Sequence, residues 1–225
     1  MPFADRNDAG RHLAEALHGY RDSDPVVLGL PRGGVPVAYP VATALHAPLD
    51  VLVVRKLGLP YQPELAFGAI GEGPPGGAPV RVLNDTVLRR TTLTDDDIAA
   101  VEAEQCRELQ RRIDLYRGGR TGVDIAGRTV LIVDDGFATG ATARVAALVA
   151  RARGARTVVL AAPIGAPDTV AALREVADDV VCPWMPRGFT AVGQGYADFG
   201  QTSDAQVCAL LDESHRPWSG PETGQ

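Results

Sequence analysis

Lysine is almost missing from this chain: of its 22 lysines and arginines, only Lys56 is a lysine. Cations are also outnumbered by 28 acids, giving a formal net charge of -6. A protein that grips nucleic acid through bulk electrostatics needs the opposite balance, so nucleic acid is not an expected partner. Cysteine is scarce too. Cys106, Cys182 and Cys208 are far apart and form no CxxC pair, which argues for reduced, mostly buried thiols rather than a disulfide framework. Four histidines, His12, His18, His46 and His215, lack ligand spacing, so no metal cage is expected from the protein itself. No apolar run reaches the length of a membrane span, and "MPFADRNDAG" carries no apolar signal-peptide core. These absences lead to the expectation of a cytoplasmic protein with no membrane partner. A hydrophobic fraction of 45% is enough for a proper core.

What is there reads as α/β. Residues 5–20 have helical spacing, with Leu13 and Leu17 four apart and Asp5 or Asn7 as a cap. "PVVLGL" (25–30) has strand length, and 35–46 reads as a helix that Pro40 delays or kinks. "LDVLVV" (49–54) is a continuous β-branched run, as a strand buried on both faces requires. From about 55 to 90 the chain turns rich in Gly and Pro. That stretch is expected to be a flap holding a hairpin near 65–70 and 80–84, with a mobile tip at "EGPPGGAP". The segment 94–118 is the clearest helix: Thr94 caps it, acids fill its first turn, and Gly118 ends it. Strands at 129–133, 157–162 and 179–182 then alternate with helices at 140–153 and 167–177. This rhythm implies right-handed crossovers and a parallel sheet of about five strands with helices on both faces. Residues 183–204 are irregular and aromatic-rich, and a last helix precedes a polar tail at 214–225. The expectation is one domain over residues 1–213.

The stretch "VLIVDDGFATGAT" (130–142) carries the chemistry. A buried strand ends in two acids, and a turn of small residues and threonines opens the next helix. In open α/β sheets, ligands collect at the carboxyl ends of strands. The free N–H groups and dipole of the helix start favour phosphate, and Gly140, Ala138 and Ala141 let main chain approach it. Thr139 and Thr142 add hydroxyl donors. Carboxylates repel phosphate but accept hydrogen bonds from a sugar, so Asp134 and Asp135 facing a diol and 138–142 facing a phosphate describe a sugar phosphate. A P-loop needs Lys where Ala141 stands. "GLPRGGVP" is not a dinucleotide fingerprint, a receiver-type acid cluster wants a later Lys that is absent, and no G-x-S-x-G elbow occurs. A capped strand–helix turn alone would not need both acids and the Thr-Gly-Ala-Thr run.

This stretch resembles the PRPP (5-phosphoribosyl 1-pyrophosphate) signature of the type I phosphoribosyltransferases. "GLPRGG" (29–34) resembles the family's pyrophosphate loop, and "VRKLGLPYQPELAFGAIGEG" (54–73) the start of its flexible loop. Residues 183–204 sit where the family keeps a hood over the base. The resemblance covers roughly residues 3–213 and is closest to a subgroup with LPRGGVP and RKLG-P patterns. It implies PRPP-dependent phosphoribosyl transfer to a nucleobase or related acceptor with release of pyrophosphate. Asp134 and Asp135 would hold the ribose hydroxyls, and Ala138, Thr139, Gly140, Ala141 and Thr142 the 5-phosphate. Arg32, Gly33 and Lys56 would meet the pyrophosphate, with Lys56 acting when the flap closes. Mg²⁺ would bind mainly through PRPP and water, and a homodimer is implied.

One departure bears on the reaction. Hypoxanthine-type members carry an acid where this chain has Ala138, so the motif holds no general base there; Glu64 or Glu72 in the flap are the remaining candidates. Gly136 is less apolar than the family pattern. Trp184 and Phe189 are candidates for stacking on a base or for plain packing. The competing reading is a non-catalytic PRPP- or nucleotide-binding regulator of the same fold, and a weaker one is a phosphoribosyl hydrolase or a non-nucleobase acceptor.

Overall fold

The computed structural model describes residues 3–215. Its centre is a five-stranded sheet of β1 (Pro25–Gly29), β2 (Leu49–Val51), β6 (Thr129–Val133), β7 (Thr157–Ala161) and β8 (Asp179–Val181). All neighbours in it are parallel, in the order β2-β1-β6-β7-β8. Alternate residues feed opposite cores, as a pleat dictates. Val27, Leu131, Val133 and Val159 enter one core, while Val26, Leu28, Val130, Ile132 and Leu160 enter the other. Burial on both faces is why these strands read as unbroken apolar runs.

Helices α1 (Arg6–Ala16), α2 (Gly34–Leu45), α4 (Asp95–Arg117) and α7 (Asp204–Ser214) cover the first core, and α5 (Ala141–Ala152) and α6 (Pro167–Leu173) the second. Asp5 caps α1 through the Asp8 N–H, and a 3₁₀ turn (His18–Ser23) follows in place of a helix continuing to 20. Helix α2 runs through Pro40. Helix α4 opens on a reciprocal Thr94–Asp97 capping box and stops at Gly118, whose φ of 55° is left-handed.

The region from 54 to 90 contains the hairpin expected near 65–70 and 80–84 and adds a third strand to it. It forms a three-stranded antiparallel sheet, β3 (Val54–Leu59), β4 (Gln62–Gly71) and β5 (Val80–Leu83), followed by the short helix α3 (Asp85–Leu88). Leu57, Leu59 and Phe67 are fully buried in the first core, which anchors this sheet beside α4. The run 49–54 is accordingly two pieces: β2 ends at Val51 and β3 begins at Val54. The cause is Asp50. Its buried carboxylate accepts from Arg117 at 3.0 and 2.9 Å and from the Val123 N–H at 2.9 Å.

Residues 183–203 are irregular apart from one 3₁₀ turn, Val192–Gly195. The chain's start is bound to them: Phe3 N–H donates to Gly195 O and Ala197 N–H donates to Phe3 O, both at 2.7 Å. Of the expected tail, Ser214 ends α7 and residues 216–225 lie outside the described residues. Among the described residues, no helix is long and apolar enough to cross a membrane.

Candidate active site

Strands β1 and β6 are neighbours whose following helices depart in opposite directions, α2 toward β2 and α5 toward β7. Their carboxyl ends therefore splay a crevice, the switch point where ligands bind in open parallel sheets. The two loops that meet there are 30–34 and 134–140.

In the second loop, the Asp135 N–H donates to Asp134 Oδ1 at 2.9 Å. Asp135 itself is engaged in a way the motif does not reveal. Arg6 Nε and NH2 reach its Oδ2 at 3.0 and 2.9 Å, and the Tyr196 hydroxyl donates to its carbonyl at 2.6 Å. The Arg6 guanidinium also lies over the Phe199 ring, 4.0 Å from its centroid. So the two acids are not equivalent diol acceptors. Among the described residues, Asp134 Oδ2 and Asp135 Oδ1 have no hydrogen-bond donor. Burial, and then the charge of Asp135, raise the Asp134 carboxyl above its ordinary value. Burial raises Asp135 as well, against the opposing pull of Arg6.

The turn beyond is fixed from outside. Phe137 N–H donates to Ile164 O, Ala166 N–H to Phe137 O, and the Thr169 hydroxyl to Ala138 O. The first backbone N–H of α5 to reach a carbonyl is that of Arg144, on Gly140 O at 2.8 Å. Among the described residues, the amides of 138, 139, 140, 142 and 143 have no acceptor. Ala138, Thr139 and Thr142 are exposed at this start of the helix. This is a concave set of neutral donors on a helix dipole, which suits a phosphate. Gly140 has a reason other than close approach to an anion. Its φ is +67°, and a Cβ there would meet Thr169 and Leu173 of α6.

In the first loop, Arg32 is exposed, and neither its side chain nor the amides of Arg32 and Gly33 are bonded to described residues. A Cβ on Gly33 would strike the Asp135 carboxylate, and one on Gly34 would strike the Val133 carbonyl. The glycine pair is what lets this loop close against the end of β6. Lys56 lies elsewhere along the cleft. On β3 it is exposed and borders a cavity of about 600 Å³ with Ala69, Val82, Ala141, Arg144 and Leu148. It therefore opens toward the first turn of α5 rather than toward Arg32.

Glu72 is not a flap acid. It is buried and paired with Arg117, NH2 to Oε2 at 2.8 Å, beside Asp50. The side chain of Glu64 lies outside the described residues. In the irregular segment 183–203, Trp184 meets Phe3 edge-on at 5.8 Å, and Phe189 packs in the same small cluster. Both serve packing here. Among the described residues, no three His, Cys, Asp or Glu side chains converge as a metal cage.

No protein-family model matches the chain. Two Mycobacterium tuberculosis proteins, "Putative phosphoribosyl transferase Rv0571c" (strain H37Rv) and "Putative phosphoribosyl transferase MT0597" (strain CDC 1551), are each 58% identical over 217 residues. Each match takes in 96% of this chain, which spans about half (48%) of the length of these curated relatives. The crystal structure of TT1426 from Thermus thermophilus matches at 44% identity with a TM-score of 0.84, over 95% of this chain and 99% of that one. Over nearly its whole length the chain is thus similar to proteins that carry the name phosphoribosyl transferase, and it shares its fold with the Thermus protein.

Proposed function

We propose that this chain binds PRPP and transfers its phosphoribosyl group to a nitrogen of a base or related acceptor, releasing pyrophosphate. The carrying observation is the pairing, at one switch point, of five free amides at 138–140, 142 and 143 with the open oxygen of Asp134. The amides take the 5-phosphate, with the Thr139 and Thr142 hydroxyls beside them. Asp134 Oδ2 and Asp135 Oδ1 take the ribose hydroxyls, directly or through water, while Arg6 and Tyr196 keep Asp135 in place. Arg32 and the Gly33 amide face the leaving pyrophosphate. Lys56 brings its charge in from the α5 side. The same two carboxylate oxygens are hard donors of the kind Mg²⁺ accepts, directly or through water. Such an ion, bound with the ligand, would offset charge on the departing pyrophosphate.

Catalysis on this reading is positioning and electrostatic stabilisation of a leaving group, without a covalent enzyme intermediate. The carbon–oxygen bond to pyrophosphate breaks as the carbon–nitrogen bond forms, with inversion at the anomeric carbon. A second reading, a PRPP-binding regulator without turnover, has its own support. Ala138 offers no acid, and Glu72 is locked to Arg117. Calorimetric titration with ribose 5-phosphate and PRPP tests the site, and pyrophosphate release across a panel of bases tests turnover. Binding of both with no release for any base favours the regulator. Binding of neither removes both readings.

A further inference from the structure

Helix α4 is long, and most of its surface is ordinary solvated charge, yet one line of it ends at Arg112, which borders a crevice beside the two loops. Gln105, Glu108 and Arg112 lie on successive turns of that line. Gln105 Oε1 accepts from Arg55 Nε at 3.0 Å, and Glu108 Oε1 accepts from Arg112 Nε at 2.8 Å. Each guanidinium is thus steered by its Nε, and among the described residues the terminal nitrogens of both have no hydrogen-bond acceptor. Strand alternation explains Arg55: next to Lys56 on β3, it must point to the opposite face, toward α4.

Arg112 forms one wall of a crevice of about 20 Å³ that also touches Pro31 and Thr142. Pro31 belongs to the Arg32–Gly33 loop, and Thr142 to the first turn of α5. The crevice has room for about one water and not for a phosphate. A ligand would therefore meet Arg112 from its open side, where the side chain keeps 32% of its exposure. Two electrostatic observations place the charges together. The charge of Arg112 pushes the part-buried Arg55 guanidinium below its ordinary range, second only to burial. The Tyr116 hydroxyl, raised to about 12 by burial and Asp204, feels the opposing positive charges of both Arg112 and Arg32. The arginines of β3 and α4 thus lie within electrostatic reach of each other, with Glu108 as the anion beside Arg112, and Arg32 of the first loop acts on the same neighbour, Tyr116. Like charges held together at a cleft mouth repel, and a polyanion reverses the sign of that interaction.

We propose that Arg112, with Arg55 behind it, grips the pyrophosphate group, so that α4 supplies binding residues in addition to those of the two phosphate loops. This inference rests on reading the cleft as a phosphoribosyl site. Arginine suits the role because its planar fork meets two phosphate oxygens at once. The plainer account is an exposed i,i+4 pair with Glu108, which would leave ligand binding untouched.

The test is calorimetric titration of the parent, Arg112→Gln, Arg112→Lys and Arg55→Gln with inorganic pyrophosphate and, separately, ribose 5-phosphate. The expected result is a loss of tenfold or more in pyrophosphate affinity for Arg112→Gln, a smaller loss for Arg112→Lys and for Arg55→Gln, and ribose 5-phosphate affinity within twofold of the parent throughout. Pyrophosphate binding by Arg112→Gln within twofold of the parent overturns the inference and leaves the phosphoribosyl reading standing. So does a parent that binds ribose 5-phosphate but no pyrophosphate. Loss of both ligands in both Arg112 variants shows a structural role and also overturns it. A parent that binds neither ligand removes the phosphoribosyl reading and this inference together.

Discussion

Asp134 shows how one residue can be set against stability for the sake of a ligand. Its carboxyl is raised above the ordinary 3.8 by burial and by Asp135. The folded chain therefore holds this proton to a higher pH than the unfolded chain does. Stability from this group is full below the ordinary value and is lost as pH rises through the folded one. Asparagine carries no charge and escapes that loss. Asp134→Asn should therefore melt above the parent at pH 8 and differ little from it at pH 4. Ligand binding should move the other way. At a pH above the folded value, where the group is ionised, a charged acceptor of ribose hydroxyls is removed, at a cost of about 1.5–3 kcal/mol, or roughly tenfold to a hundredfold in PRPP affinity. Melting curves at the two pH values and a PRPP titration check this. An equal melting difference at both pH values would remove the titration, and unchanged PRPP affinity would remove Asp134 from the site.

At the scale of elements, the strands most legible in the sequence were those buried on both faces. β1, β6 and β7 read correctly because their apolar runs are continuous. The β4–β5 hairpin was legible as well, but β3 was obscured by Gly and Pro and by the register shifts around Gly58, which break the alternation. Of the candidate site, the two contiguous loops at 30–34 and 134–142 were legible, and the fold brings them together at the ends of β1 and β6. The site was illegible where distant chain segments converge: Arg6 reaches Asp135 across 129 positions, Tyr196 across 61, and Arg55 meets Gln105 across 50. No local spacing encodes such pairs. What fixes α4 in place is equally non-local. Arg117, near its end, is buried and donates to Asp50, Glu72 and the Val51 carbonyl, joining helix to both sheets. Removing one partner strands the buried carboxylates, so Arg117→Ala should cost about 3–5 kcal/mol. Urea denaturation should show a lower midpoint with little change in slope. A loss under about 1 kcal/mol would mean that water or neighbouring groups replace the guanidinium.

Over the whole molecule, charge is segregated rather than merely negative. The chain carries a net charge of -6, yet Arg112 borders a crevice with Thr142, Lys56 borders a cavity with Ala141 and Arg144, and Arg32 stands exposed in the first loop. A polyanion is thus repelled by the bulk and attracted locally, which favours a ligand with phosphate at both ends over one with phosphate at a single end. That preference appears in the stability of the entire fold, because a ligand that binds only the native state adds RT ln(1 + [L]/Kd) to it. At a hundred times its Kd, PRPP adds about 2.7 kcal/mol. For a domain of this size, each kcal/mol raises Tm by about 2–4 °C, so the shift should be on the order of 5–11 °C. At the same total concentration, ribose 5-phosphate, with one anchoring end, should give a smaller shift, and ribose none. Raising the salt should shrink the gap between PRPP and ribose 5-phosphate, since exposed arginine charges are screened within about 10 Å at 0.1 M. A thermal-shift series over these three ligands at two salt concentrations decides the matter. Equal shifts for PRPP and ribose 5-phosphate at low salt would mean that the cationic rim takes no part in binding.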